Sequence, residues 1–155
     1  MWKRMRVIAR SICASALSVA IVAGMAGQAE GRRALTLKEA AALKIVKNDE
    51  KSQITVGVGS GKGTLRGSVH MRVHVVDGSK LSARFVSKSR GGALYGTGRA
   101  RYYVSGSILR FFGAVKITGG TRRYSRARGR GIEIEGVMNR RRERMRMTLN
   151  GRFSF

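Results

Sequence analysis

The sequence predicts an all-β domain: a small antiparallel closed barrel of about eight strands, behind a signal peptide and a short lead segment. Three observations carry this prediction. Apolar and polar residues alternate with a period of two along runs such as "TLRGSVHMRVHVV" and "ERMRMTLNGRFSF". Turn-forming clusters, "VDGSK", "SRGGA", "VSGS", "ITGGTRRY" and "MNRRRE", separate these runs at short intervals. Glycine is abundant, at 21 residues, and proline is absent, which suits tight turns between strands better than a proline-rich tail. The chain has 155 residues, 43% of them apolar, so one domain can build a core and wholesale disorder is excluded. Each alternating strand must hide one apolar face. In a chain this short, closing the sheet hides every such face and removes the exposed edges.

The N-terminal segment, residues 1–29, reads as a signal peptide. "MWKRMRVIAR" supplies a basic start, "SICASALSVAIVAGMAG" an uncharged apolar stretch, and Gly27 and Ala29 the small residues before a cut. The rival reading is an uncleaved membrane anchor, disfavoured by that small-residue end. The expected location is therefore secreted or extracytoplasmic, in the periplasm or cell wall, with no stable membrane insertion after cleavage. Cys13, the single cysteine, lies in this segment. The exported chain then has no disulfide, no thiol nucleophile and no thiolate ligand.

Residues 30–52 form a lead segment. "TLKE" at Thr36–Glu39 fits a capping box and "AAALKIVK" follows, so a two- to three-turn helix is one reading and a disordered arm the other. The barrel is expected over residues 53–155. Its inner face collects Leu65, Val69, Met71 and Val73, then Leu81 and Phe85, then Leu94 and Tyr102. Leu109, Phe111 and Val115 follow, then Ile132, Ile134 and Met138, and last Met145, Met147, Leu149 and Phe153. Inner-face glycines at 96, 98, 113, 136 and 151 suit strongly bent strands. The outer face collects Arg99, Arg101, Arg110, Lys116, Arg144, Arg146 and Arg152.

An aromatic strand "FFGAVKI", then "TGGT", then "RYSRARGRG" resembles the late segment of the allene oxide cyclase and dirigent barrel families. There an "itGGTGxYxxAxG"-like corner joins two strands. The chain looks most like bacterial secreted relatives of that barrel. The resemblance spans roughly residues 60–155 and is strongest from Gly106 to Gly136. Arg122 departs from it, standing where the corner has a glycine. The resemblance implies an eight-stranded antiparallel barrel with an apolar interior. It does not bring the activity, because the expected inner face from residue 53 onward offers no Asp, Glu, His, Lys or Arg to steer a substrate.

Several motifs have a plainer structural reading. "GVGSGKGT" misses the phosphate-loop pattern, since Val56 and Gly63 stand where Gly and Ser or Thr are required. A hairpin turn is expected there instead. Gly119 and Gly120 read as a tight corner, with Tyr124 and Ala127 packed on the barrel end. His70 and His74 lie on one strand face, on the order of 13 Å apart, too far to share a metal. Glu133 and Glu135 point outward and are expected in cross-strand ion pairs.

The functional expectation is a secreted, non-catalytic barrel with no catalytic residues, metal or cofactor. A small apolar ligand inside it would meet Phe85, Tyr102, Phe111, Met145 and Met147. The alternative follows from charge: 32 Lys+Arg against 8 Asp+Glu give a formal net charge of +24. Such a field attracts an anionic polymer or nucleic acid. Arg122, Arg123, Arg126, Arg128, Arg140, Arg141 and Arg142 are the candidate contacts, and Tyr95, Tyr103 and Phe112 outside are candidate stacking surfaces for bases. An outer-membrane-type barrel is the third reading, since the chain ends in Phe155 after alternating apolar residues.

Overall fold

A computed structural model describes residues 32–155; the expected signal peptide falls on residues outside that range. Eight strands follow one another: β1 (Ala34–Asp49), β2 (Ile54–Gly63), β3 (Gly67–Asp77), β4 (Lys80–Ser89), β5 (Gly92–Ser105), β6 (Ile108–Gly120), β7 (Gly129–Asn139) and β8 (Arg144–Ser154). Each pairs antiparallel with the next, and β1 pairs with β8, so the sheet is a closed barrel with no free edge.

The first strand corrects the expectation of a helical or disordered lead segment. Ala34–Asp49 is the longest strand, at 16 residues. It places Leu37, Glu39, Ala41, Leu43 and Ile45 inside and Lys38, Ala40, Ala42 and Lys44 outside. Its alanines favour a helix, but intrinsic propensity is small beside the strand pairing available here. As a strand the segment hydrogen-bonds to β2 on one side and β8 on the other. Without it both neighbours would present open edges. The barrel therefore begins at Ala34 rather than at residue 53.

The second correction concerns the glycine run. Gly57, Gly59 and Gly61 lie within β2, and the turn comes after it, at residues 64–66. The expected hairpin turn is a strand whose inner positions are glycines. The β1 backbone crosses so closely over Gly59 that a Cβ there would overlap the Ala42 carbonyl. The rejection of a phosphate loop stands, since no helix follows.

Elsewhere the register is as the alternation predicts. Val69, Met71, Phe85, Phe111, Val115, Ile134, Met147 and Leu149 are buried, and Arg66, Arg72, Arg110 and Lys116 are exposed. Large and small residues face each other across strand pairs. Phe85 pairs with Gly96, and Phe111 with Gly136; each ring lies where the glycine's missing Cβ would be. Val104, an inward position of the same alternation, is 45% exposed because it stands at the end of β5, beside the turn to β6.

Candidate functional site

The two ends of the barrel differ. One is closed by the connection between β6 and β7. Gly119 has φ +156, and a Cβ on Gly120 would overlap the Ala93 carbonyl; the two glycines, expected as the corner itself, are the last residues of β6, paired with Tyr95 and Leu94, and the corner follows them. A 3-10 turn, Arg122–Tyr124, follows. Tyr124 and Ala127 are buried, and Tyr124 packs on Phe153 and Phe155 with ring centroids 6.1 and 5.3 Å away. Arg123 lies over the Tyr124 and Phe155 rings at 5.4 and 5.0 Å, a cation–π cover on the plug. Arg128 donates from Nη1 to the carbonyls of Thr118 and Ala127, tying the corner together.

The barrel centre is packed solid. The internal void between Met71, Phe111, Val115, Ile134 and Met145 measures about 20 Å³, the scale of a single water. Phe85, Phe111, Met145 and Met147 are core residues with 2–6% exposure, filling the space a ligand would need.

The opposite end is open. A cup of about 760 Å³ lies between the β1–β2, β5–β6 and β7–β8 turns. Its floor is apolar: Ile45, Val73, Val75, Leu81, Leu109 and Met138. Its rim is polar: Asn48, Asp49, Glu50, Gln53, Arg140, Arg141 and Glu143. Tyr102 lines the wall half-buried, with its hydroxyl donating to the Asp77 carbonyl at 3.4 Å. Of the five interior residues singled out from sequence, Tyr102 alone lines this cup.

The rim is held by its turns. The Ser52 side chain and backbone, hydrogen-bonding Asp49, hold that carboxyl below its ordinary range. At the β3–β4 turn the Ser79 N–H and then Lys80 do the same for Asp77, which pairs with Lys80 at 3.1 Å. Arg140 donates from Nη2 to the Gly106 carbonyl at 2.7 Å, joining two neighbouring turns.

The candidate polyanion residues do not form one patch. Arg122, Arg123, Arg126 and Arg128 stand at the closed end, and Arg140, Arg141 and Arg142 at the open end. The full length of β7 separates them, roughly 35 Å. Several are also engaged structurally, among them Arg123 on rings and Arg128 and Arg140 on carbonyls. Cations in between belong to the strands themselves.

Two further placements differ from expectation or add to it. Glu133 stands opposite Ala114 and Asn150, and Glu135 opposite Phe112 and Thr148, so neither faces a cation across the ladder. Glu135 instead accepts from the Thr148 hydroxyl at 3.3 Å. The expected ion pairs do not form because the register sets arginines one step away. Glu39 is the acidic residue that reading from residue 53 missed. It is 5% exposed, and its Oε2 accepts from the Leu65 N–H at 2.9 Å while Oε1 has no protein partner. With Thr64 bonded to the β1 backbone, it fastens the β2–β3 turn over the closed end. Among the described residues, no cluster of three or more His, Cys, Asp and Glu is placed to hold a metal ion.

Comparison with protein-family models, with curated proteins and with solved structures finds no match to the chain.

Proposed function

We propose that the chain is an exported, non-catalytic barrel that holds a small apolar molecule in its open mouth. The observation that carries this is the contrast in space: about 760 Å³ at the mouth against about 20 Å³ in the centre. The larger volume lies within the ordinary range for small-molecule sites. An apolar floor under a polar rim suits a molecule with an apolar body and a polar end. The floor residues Ile45, Val73, Leu109 and Met138 offer an apolar body only apolar contact, and the carboxylates Asp49, Glu50 and Glu143 stand on the rim, where a polar end would lie. The resemblance to the allene oxide cyclase and dirigent barrels supports ligand holding as a use of this architecture. The N-terminal sequence supports export.

Outward Arg72, Arg84, Arg99, Arg101, Arg110 and Arg146 sit on the strands where a lipid-facing barrel carries its apolar belt, which argues against the outer-membrane reading. The same cations favour a second reading, a surface that attracts anionic polymers.

A solvatochromic apolar dye tests the first reading. It should bind at one site and keep its affinity in high salt. Tyr102→Ala should weaken it severalfold, while Arg122→Ser at the far end should leave it unchanged. Absence of saturable binding would remove the ligand-holding reading.

A further inference from the structure

On the outer wall, β5 and β6 place two aromatic rings and two guanidinium groups in a checkerboard. Arg101 and Tyr103 point outward from β5, and Arg110 and Phe112 from β6. Tyr103 stands opposite Arg110, and Arg101 opposite Phe112. Each ring thus has a cation along its own strand and another directly across. Tyr103 and Phe112 are each 53% exposed. The two rings are diagonal neighbours, about 7–8 Å apart by their place in the ladder, within reach of one another's ligand.

The checkerboard borders a shallow groove of about 770 Å³ that continues over β7, β8, β1 and β2. Small residues, Ala40, Ala42 and Ser60, make its floor low, and Arg146 and Lys62 add cations along it. Its single carboxylate is Glu135. Among the described residues, Arg101, Arg110 and Arg146 have no hydrogen-bond or ion-pair partner, so their donors are free for a ligand.

We infer that this groove is a binding site for single-stranded nucleic acid, with Tyr103 and Phe112 stacking on two bases and Arg101, Arg110 and Arg146 meeting the phosphates. Exposed rings on an outer sheet face, interleaved with unpaired cations, are the elements by which single strands are held without base-pair readout. A duplex hides its base faces and would leave the rings unused. The inference rests on the polyanion reading and is independent of the mouth.

The test measures binding of a fluorescent twelve-nucleotide oligothymidine to the full chain over a salt series, beside a heparin fragment of similar charge. Tyr103→Ala and Phe112→Ala should each weaken oligothymidine binding by about tenfold or more, the usual effect of losing one stacked base, and leave heparin binding within twofold. Arg101→Ser with Arg110→Ser should flatten the salt slope for both ligands by up to about two units. Glu135→Gln, which removes the repelling carboxylate, should tighten oligothymidine binding; a gain cannot arise from misfolding. Circular dichroism melts confirm that each variant is folded. If the aromatic variants bind both ligands as the parent does, the stacking site is wrong while the polyanion reading survives. If neither ligand binds in a salt-dependent way, both are wrong. If heparin loses as much as oligothymidine in the aromatic variants, the groove belongs to a glycan instead.

Discussion

Arg122 takes φ +53, a left-handed conformation that an L-residue with a Cβ adopts at a cost of about 1–2 kcal/mol. It occupies the corner position where the sequence reading expected a glycine, so that expectation has a local conformational counterpart. Its side chain is exposed and makes no described contact. Arg122→Gly relieves the strain but adds freedom to the unfolded chain, so the net gain should be up to about 1 kcal/mol, seen as a higher melting temperature. A lower melting temperature would mean that Arg122 makes a contact that matters. On β6, the strand that leads into this corner, the in–out register is testable by charge. Phe111→Asp would bury an unpaired carboxylate among Val115, Ile134 and Met145 and should cost about 3 kcal/mol or more. Arg110→Asp, on the outer face, should change stability by less than about 1 kcal/mol. Equal melting of the two variants contradicts the register.

At the scale of elements, the alternation made β3–β8 legible, and the turn clusters marked their ends. Two strands were hidden. In β1 the polar Glu39 falls on an inner position between Leu37 and Ala41, which breaks the period-two signal, and "TLKE" imitates a helix cap. In β2 the inner positions are glycines, which carry no hydropathy and read as turn. β1 owes part of its conformation to pairing with β8, at the far end of the sequence, a term that local pattern does not contain, while β2 is held between its sequence neighbours β1 and β3. The mouth was illegible for the same reason: Ile45 and Asn48 come from β1 and Thr55 from β2. The closed end was legible because the Gly-Gly corner and Tyr124 are local to one another. If β1 is a full member of the barrel, the amides of Leu37–Ile45 should resist hydrogen exchange as well as those of Met145–Phe153. Rapid exchange confined to residues 34–49 would restore the peripheral arm. Glu39 gives a second check on the same strand. Glu39→Gln keeps an acceptor for the Leu65 N–H, whereas Glu39→Ala leaves that donor buried and unpaired, so the alanine variant should be less stable by about 1–3 kcal/mol.

The whole molecule sorts its residues by direction: apolar side chains inward, cations outward, one end plugged by Tyr124, Phe153 and Phe155, the other left open. Space follows the same division. A centre filled by Phe85, Phe111 and the methionines supplies rigidity, and the mouth supplies a cavity of ligand size that continues the apolar core. The claim that a ligand sits at the mouth and not in the middle is open to a single measurement, because methionines mark both places. Met138 lines the cup where it meets the core, while Met71 and Met147 are 2–3% exposed deeper in the packed barrel. Methyl NMR of the methionine-labelled protein, titrated with an apolar dye or a short-chain amphiphile, reads them side by side. A saturable shift of the Met138 methyl with Met71 and Met147 unmoved is the predicted result; shifts centred on Met71 and Met147, or none at Met138, would contradict it.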